Sequence, residues 1–379
     1  MRILQLFIDD KFVDSAIQKL SHKDNVINIV ISNNDKLNYV KSNNVIHYST
    51  EVIENKFSEI TASFDVIFFH SLPHIFRNLI IQHKKKLIYC WFLWGYEYYS
   101  EWKIEALNLY EKDESKLNLN NIKDKLIYNN ISFKILGNNI LKKYYKSELL
   151  EAVKKIDYFA PVLPNEYSKI KKLNSDIKYL PYTYGYLEMY IGSNMDIDLS
   201  NKKDILLGNS ADPSNNHISI IDKLSKINLE DRKVVVPLSY SGNEEYKKKI
   251  IDYGHKMLGK NFLALVDFMP MEDYNNIIFN CGYVIFNHIR QQAIGNLIVM
   301  GYLGAKIFLN SKSVTSEFLR DNSVIFTPTS KIDFKELNTK MNLEDIMYNK
   351  NFIFNYFSKT TVEARTKELF NLIKSAKEQ

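Results

Sequence analysis

The sequence predicts an α/β protein made of two domains, each a doubly wound parallel sheet with helices on both faces. Short apolar runs alternate with helical stretches through residues 3–91 and again through 204–326. This alternation is typical of parallel strands that are connected by helices. At 379 residues the chain is also long for one hydrophobic core, because single cores rarely grow beyond about 250–300 residues.

The first half reads as short strands separated by helices. The predicted strands are 3–8, 26–31, 45–48, 66–69, 86–91 and 158–162, and the predicted helices are 12–21, 52–58 and 75–83. Residues 100–146 are rich in lysine and tyrosine and give no clear pattern. We therefore expect an N-terminal Rossmann-like domain over residues 1–190.

The second half is more regular. The predicted strands are 204–207, 234–237, 262–266, 283–286, 306–309 and 324–326, and the predicted helices are 217–226, 244–258, 271–280, 293–302 and one that begins at 314. This pattern predicts a second Rossmann-like domain over residues 200–355. Residues 192–203 are rich in Gly, Ser, Asn and Asp, which indicates a linker. We expect the active site where the two domains face each other.

Composition excludes some classes of protein. The chain carries 50 Lys and Arg against 44 Asp and Glu, a net charge of +6, which suits small anionic ligands but falls short of a nucleic-acid binder. Cys90 and Cys281 lie in apolar runs, so we expect buried thiols and a reducing compartment. The sequence shows neither a signal peptide nor a membrane-spanning stretch, which predicts a cytoplasmic protein with at most peripheral membrane contact.

The loop after strand 204–207 is polar and opens with a glycine. Its candidate ligand-binding residues are Gly208, Asn209, Ser210, Ser214 and Asn215. In open parallel sheets ligands bind at the carboxyl ends of the strands, and a glycine lets a phosphate approach the backbone. The alternative is an ordinary strand-to-helix turn with an asparagine cap.

A second candidate anion site follows strand 283–286. Arg290, Gln291 and Gln292 precede a helix that contains Gly295 and Asn296. A guanidinium, two amides and free backbone N–H groups would converge there, as a diphosphate requires. The alternative is a solvated arginine near a helix start.

Apolar and aromatic residues end two neighbouring strands. These residues are Pro237, Ser239 and Tyr240 after one strand and Phe268 and Met269 after the other. Such a surface can hold a nucleobase. The alternative is that both are hydrophobic turns that pack on their own domain.

Two residues of the first half are candidates for a general base. His70 follows strand 66–69, and Glu97 follows strand 86–91 behind a glycine that would let a hydroxyl group approach. The alternative for each is a helix cap or a surface residue.

Two further patterns bear on metal and membrane binding. The triplet Asp196-Ile197-Asp198 is similar to the metal-binding Asp-x-Asp of other transferases, but it falls in the expected linker, so we interpret it as solvated charge. Lysines mixed with aromatic residues at 84–102 and 142–146 are typical of interfacial membrane contacts, although we expect part of these aromatic side chains in the core.

Three stretches of the second half resemble a known family. Residues 206–217 read LLGNSADPSNNH, residues 234–240 read VVVPLSY and residues 290–296 read RQQAIGN. They are similar to those of the TDP-N-acetylfucosamine:lipid II N-acetylfucosaminyltransferases, glycosyltransferase family 56. In the first half the similarity is confined to His70 and the stretch WGYEYY, where relatives carry aspartate at the position of Glu97.

The resemblance implies a GT-B fold, in which a C-terminal helix within 356–379 completes the N-terminal domain. It implies that the second domain, His217 included, holds a dTDP-linked 4-amino-4,6-dideoxy sugar that is acetylated at the 4-amino group. The implied acceptor is a polyprenyl-diphosphate-linked saccharide of bacterial surface polysaccharide synthesis, at the inner face of the plasma membrane. Arg290 and the backbone near Gly295 would neutralise the leaving diphosphate, so we expect no metal and no other cofactor.

Two other classes of function remain open at this point. A nucleotide-sugar epimerase of the same two-domain shape would need no lipid acceptor. A noncatalytic scaffold would bind a sugar nucleotide but would lack a general base.

Overall fold

The computed structural model describes residues 1–20, 25–84, 87–99, 109–111, 147–242 and 244–378. The described residues form two compact α/β units. The first unit contains those within 1–107, 142–185 and 360–379, and the second contains those within 108–141 and 186–359.

The first unit is built on a seven-stranded sheet in the order β3-β2-β1-β4-β5-β6-β7, with every pair parallel. The strands are β1 (Ile3–Ile8), β2 (Val26–Ile31), β3 (Ile46–Tyr48), β4 (Val66–His70), β5 (Ile88–Phe92), β6 (Tyr158–Ala160) and β7 (Lys178–Tyr179). The chain winds outward from β1 in one direction and from β4 in the other. The carboxyl ends of β1 and β4 are therefore the switch point, where open α/β sheets bind ligands.

Helices cover both faces of this sheet. Those of the first part of the chain are α1 (Val13–Leu20), α2 (Thr50–Thr61), α3 (His74–Gln82), α4 (Tyr96–Tyr99), α5 (Glu148–Val153) and α6 (Tyr167–Lys171). Because both faces are covered, the central strands are mostly apolar, and all five residues of β4 are buried.

The second unit repeats the same winding with six parallel strands in the order β10-β9-β8-β11-β12-β13. The strands are β8 (Asp204–Leu207), β9 (Val234–Pro237), β10 (Phe262–Leu265), β11 (Cys281–Phe286), β12 (Lys306–Leu309) and β13 (Thr327–Pro328). Its switch point lies at the carboxyl ends of β8 and β11.

The longer helices of the second unit connect these strands, and a final helix returns to the first unit. They are α7 (Leu187–Ile191), α8 (His217–Leu224), α9 (Glu244–Leu258), α10 (Met271–Ile278), α11 (Ile294–Tyr302), α12 (Val314–Asp321), α13 (Phe334–Asn338), α14 (Leu343–Phe357) and α15 (Lys359–Glu378). Leu369 and Ile373 of α15 are fully buried in a core cluster with Ile3 and Val66 of the first sheet. The C-terminal helix therefore supplies core side chains to the N-terminal sheet.

The predicted fold class is confirmed, since both sheets are parallel and doubly wound. The last predicted strand, 324–326, is wrong. The Val324 N–H donates to the Leu319 carbonyl in the turn that ends α12, and both backbone groups of Ile325 bond to the side chain of Asn349. The strand begins only at Thr327.

Residues 192–203 are not a linker, because they pack inside the second unit. Leu199 is fully buried, and its N–H donates to the Leu303 carbonyl at 2.8 Å. A Cβ on Gly282 would lie 2.1 Å from the carbonyl oxygen of Lys202, so this segment lies directly against the start of β11. The chain instead passes from the first unit to the second between residues 185 and 186.

Most described aromatic residues of the proposed membrane segment are core residues. Trp91 and Phe92 are fully buried, and Tyr98 and Tyr99 are 3% and 4% exposed. These four side chains therefore cannot face a bilayer, in agreement with the expectation that part of these aromatic residues belong to the core. Residues 85, 86, 102 and 142–146 lie outside the described residues. Within the described ranges, no helix combines the length and the apolar character needed to span a bilayer.

Candidate functional site

The loop after β8 folds back tightly on the start of α8. Gly208 has φ +68°, and a Cβ there would lie 2.7 Å from Nε2 of His217 and 2.9 Å from Oδ1 of Asn215. Only glycine fits this backbone without strain. The sequence therefore needs a glycine here for its own packing, whether or not a ligand approaches.

Asn215 fixes the shape of this loop from inside. Its Oδ1 accepts the Asn209 N–H at 3.1 Å, and its Nδ2 donates to the carbonyl oxygens of Ser210 and Asp212 at 3.2 and 2.9 Å. The side chain is fully buried. Asn215 therefore supports the loop from behind, and of its first polar residues Asn209 stays half-buried while Ser210 is 2% exposed.

The loop after β11 meets the loop after β8 through Arg290. Its Nε donates to Ser214 Oγ at 2.9 Å, and its Nη2 donates to Asp212 Oδ2 at 3.3 Å. Although burial acts in the opposite direction, the charge of Arg290 and hydrogen bonds from Ser214 hold the pKa of Asp212 below its ordinary value. The ion pair fixes the plane of the guanidinium and leaves Nη1 without a hydrogen bond to the described residues.

Gln292 joins the same two loops. Its Nε2 donates to Asn209 Oδ1 at 2.9 Å, and its Oε1 lies 3.0 Å from Ser214 Oγ. The structure thus brings together the two polar loops in which the sequence analysis found anion-binding residues. Gln291 is also buried, and its Oε1 makes no hydrogen bond within the described part of the chain.

Helix α11 begins beside these side chains without a side-chain cap. Ala293, the residue before it, has φ +60°, a conformation that a residue with a Cβ adopts only at a cost. The first backbone N–H groups of the helix, Gly295 included, have no partner inside the helix and carry its positive dipole end. The side chain of Asn296 donates to Tyr274 instead, at 2.8 Å.

Two buried histidines flank the loops. His288 was not found from the sequence; its Nδ1 donates to the Arg290 carbonyl at 3.0 Å. His217 lies 2.9 Å from the Tyr246 hydroxyl through Nδ1. Nε2 of both rings is buried without a hydrogen-bond partner among the described residues. Burial lowers the pKa of each histidine to about 3, so both rings are neutral at physiological pH.

A buried asparagine network under the site was also missed. Asn216 Nδ2 donates to the carbonyl oxygens of Asn287 and Leu109, and its Oδ1 accepts the Glu111 N–H. Asn310, the first residue after β12, donates to side-chain oxygens of Asn287 and Glu111 at 3.1 and 3.0 Å. These partners lie far apart in sequence, so no local pattern indicates them.

The apolar candidates at β9 and β10 divide into buried and exposed residues. Pro237 is buried, and Ser239 and Tyr240 are half-buried. Phe268, after β10, is 74% exposed, with Met269 half-buried beside it. Since neighbouring strands lie about 4.8 Å apart, the end of β10, after which Phe268 comes, is about 10 Å along the sheet from the end of β8.

In the first unit, His70 has no free ring nitrogen. Nε2 lies 2.9 Å from Gln5 Oε1 and Nδ1 lies 2.8 Å from the Tyr184 hydroxyl. The amide of Gln5 is oriented by its bond to Asn28, so Nε2 carries the proton and Nδ1 accepts from Tyr184. Burial holds the pKa of His70 well below its ordinary value. His70 therefore supports Tyr184, and the geometry disfavours it as the general base.

Glu97 lies in the second position of α4 and keeps one carboxyl oxygen unpaired. Oε1 accepts the Trp91 indole N–H at 3.1 Å and the Trp94 backbone N–H at 3.0 Å. Oε2 is buried and makes no hydrogen bond to any described residue. Burial raises the pKa of the Glu97 carboxyl, although the hydrogen bonds from Trp94 and Trp91 act in the opposite direction.

The Asp-x-Asp triplet lies away from these residues. Both carboxyl oxygens of Asp198 accept hydrogen bonds from Ser200, each at 2.9 Å. A Cβ on Gly304, just before β12, would lie 3.4 Å from Asp198 Oδ1, which places the carboxylate at the amino edge of the sheet. Over the described ranges, no group of three or more His, Cys, Asp or Glu side chains is arranged to hold a metal ion.

Comparison with solved structures identifies the fold. HepE of Anabaena, solved in complex with UDP, superimposes with a TM-score of 0.64 at 11% identity, covering 99% of this chain and 100% of HepE. A glycosyltransferase of Rickettsia africae matches with 0.62 at 15% identity and 98% coverage of both chains. Sucrose-phosphate synthase of Thermosynechococcus elongatus matches with 0.64 at 7% identity, covering 99% and 100%. The fold is that of the GT-B glycosyltransferases.

The sequence places the chain within that class. Residues 163–360 match the model of the family described as 4-alpha-L-fucosyltransferase, glycosyl transferase group 56. The chain belongs to this family, as the resemblance indicated, and the protein is a glycosyltransferase. The matched region contains all three sequence stretches on which the resemblance rests.

Replacing Gly208 by alanine tests the packing of the β8 loop. We expect the free energy of unfolding to fall by about 3 kcal/mol, from backbone strain and from the clash with His217 and Asn215. Gly259 also has positive φ but would place its Cβ in open space, so Gly259→Ala should cost only about 1 kcal/mol. Urea unfolding measures both, and equal losses would contradict the tight packing of this loop.

Replacing His217 by glutamine tests its burial as a neutral ring. The folded-state pKa of about 3 lies below the ordinary value of 6.5. Between these two pH values His217 is therefore protonated in the unfolded chain but neutral in the folded chain. Wild-type stability relative to His217→Gln should therefore fall by roughly 1 kcal/mol per pH unit below about pH 6.5, down to about pH 3. Urea unfolding between about pH 7 and pH 5 gives this difference. Parallel stability curves for the two proteins would show that the ring is not held neutral.

Proposed function

We propose that this glycosyltransferase moves a 4-acetamido-4,6-dideoxyhexose from a dTDP-linked donor to a polyprenyl-diphosphate-linked saccharide, without a catalytic metal. The reaction would belong to bacterial surface polysaccharide synthesis, at the cytoplasmic face of the plasma membrane. The resemblance of residues 206–217 and 290–296 to fucosamine transferases supports this choice of donor and acceptor. A lipid-linked acceptor also requires peripheral contact with the membrane.

The arrangement of Arg290 carries the proposal for the donor site. Asp212 and Ser214 hold the guanidinium by Nη2 and Nε, so its Nη1 is oriented toward a ligand in advance. The uncapped start of α11 lies in the same loop and supplies backbone donors and a positive dipole end. Together they provide the charge and the donors that a diphosphate needs.

These groups also support a metal-free mechanism. When the bond to the sugar breaks, negative charge develops on the leaving diphosphate. A fixed guanidinium and fixed backbone N–H groups stabilise that charge without reorganising, which is the role a divalent cation has in other transferases. Asp212 limits the net charge of the site, so the phosphate must approach on the Nη1 side.

The remaining parts of the donor have candidate partners along the same sheet edge. The exposed ring of Phe268 offers a stacking surface for a pyrimidine. Gly208, Asn209 and Ser210 border the space next to Arg290, where the sugar would lie. HepE, which has this fold, was solved in complex with UDP, and this supports a nucleotide-linked donor here.

On the acceptor side, Glu97 is the candidate general base for an inverting transfer. The unpaired Oε2 has a lone pair for a hydroxyl proton, and a pKa raised by burial brings the carboxylate closer to the basicity such a role requires. His70, with both ring nitrogens bonded, would position Tyr184 and, through it, the Trp94 indole.

A thermal-shift panel with dTDP, UDP, GDP and CMP in the presence of EDTA tests the donor site. A ligand that binds only the native state raises the melting temperature, by about 5 °C for a protein of this size at a hundredfold excess over Kd. We expect the largest rise with dTDP, and loss of that rise in Arg290→Gln. Arg320→Gln, an exposed arginine on α12, should respond as the wild type does.

Two results would contradict the proposal. A larger rise with UDP or GDP would exclude dTDP as the preferred nucleotide. No rise with any nucleotide, or an undiminished rise in Arg290→Gln, would show that the diphosphate does not bind where we place it.

A further inference from the structure

The short helix that carries Glu97 cannot hold its own position. Helix α4 has four residues, and a single turn is not stable without tertiary contacts. A general base must nevertheless be held within a fraction of an ångström of its working geometry. The contacts that fix α4 therefore decide where the Glu97 carboxyl lies.

One anchor comes from helix α3. Arg77 Nε donates to the Leu72 carbonyl at 2.7 Å, and its Nη2 donates to the Glu97 carbonyl oxygen at 3.0 Å. This contact fixes the backbone of α4 at Glu97 itself. It does not touch the carboxyl group of Glu97.

The second anchor comes from the segment before α6. The Tyr99 hydroxyl donates to Glu166 Oε1 at 2.6 Å, and Glu166 Oε2 accepts the Leu163 N–H at 2.9 Å. The side chain of Glu166 is 1% exposed. Among the described residues, each carboxyl oxygen of Glu166 thus has one donor, and the Tyr99 bond is short for a hydroxyl donor.

The two buried glutamates are also coupled electrostatically. Burial raises the pKa of Glu166 to about 7, and the charge of Glu97 contributes in the same direction. Two carboxylates in a dry environment each make the charged form of the other less favourable. Below about pH 7 Glu166 is therefore largely protonated, and it holds α4 through its hydrogen bond with Tyr99 rather than through a negative charge.

We propose that Tyr99 and Glu166 are positioning residues of the transfer reaction, which hold α4, and with it the Glu97 carboxyl, in place. This inference rests on the proposed role of Glu97 as the general base. Glu166 itself touches neither substrate, because both of its oxygens are bonded within the unit.

The test compares three variants in the transfer of 4-acetamido-4,6-dideoxyhexose from its dTDP donor to a polyprenyl-diphosphate-linked saccharide. Glu97→Gln should lower kcat at least about a hundredfold, because the base is lost. Tyr99→Phe should lower kcat about tenfold with an unchanged KM for the donor, because only the base is displaced. Glu166→Gln should also lower kcat about tenfold with an unchanged KM for the donor, because an amide offers one acceptor oxygen for the two donors, Tyr99 and the Leu163 N–H.

Tyr167→Phe is the matched control. Tyr167 lies in the same unit and its hydroxyl donates to the Ile177 carbonyl at 2.8 Å, away from α4. We expect wild-type kcat and an unchanged KM for this variant. Thermal unfolding of every variant shows which of them fold, and Tyr99→Phe, the smaller change, carries the test if Glu166→Gln does not.

The outcomes separate this inference from the proposed function. Full activity in Glu97→Gln would overturn both the base assignment and the positioning role. A large loss in Glu97→Gln, with an unchanged kcat in both Tyr99→Phe and Glu166→Gln, would overturn the positioning role alone. The thermal-shift panel with the four nucleotides tests the donor site separately, and its result does not depend on the activity of the Glu97, Tyr99 or Glu166 variants.

Discussion

Buried polar side chains at the carboxyl ends of β8 and β11 need partners away from water, and the second unit is arranged around that requirement. Leaving one such group unpaired costs about 1–3 kcal/mol. Asn215 meets the need inside the β8 loop, and Asn216 and Asn310 meet it beneath the loop after β11. Because these amides find hydrogen-bond partners beneath the loops, both loops keep their shape. Arg290 and the start of α11 are thereby held where a ligand can reach them.

The first unit meets the same requirement in a different way. Its switch point lies at the carboxyl ends of β1 and β4, and His70 sits there between Phe7 and Phe92, at ring distances of 4.1 and 4.6 Å. The hydrogen bonds to Gln5 and Tyr184 leave it neutral and fixed. Glu97 keeps one carboxyl oxygen without a hydrogen bond to the described residues, and it lies on a single helical turn that the rest of the unit has to hold in place. Both sheets have the same doubly wound topology. The second unit presents hydrogen-bond donors for an anion, whereas the first unit presents the carboxyl group of Glu97.

Local patterns in the sequence account for the sheets and for part of the site. Periodicity predicts strands such as 204–207, and because the carboxyl ends of parallel strands share an edge, it also predicts that Gly208 and Arg290 lie near each other. The hydrogen bond between Tyr99 and Glu166 joins residues 67 positions apart, so no local sequence pattern indicates it. Burial is equally hidden, since His70 follows its strand just as an exposed candidate base would. The error over residues 192–203 has the same cause, because a polar segment packs against β11 through backbone groups that the sequence does not reveal.

The most direct test of the account is mass spectrometry of the lipid product after incubation with dTDP-4-acetamido-4,6-dideoxyhexose, a polyprenyl-diphosphate-linked saccharide and EDTA. The account predicts a product heavier by one acetamidodideoxyhexosyl residue, formed at the same rate with EDTA as with added Mg²⁺. Transfer that depends on a divalent ion would contradict the role given to Arg290 and α11. Transfer from a UDP-linked or GDP-linked sugar but not from the dTDP donor would contradict the donor.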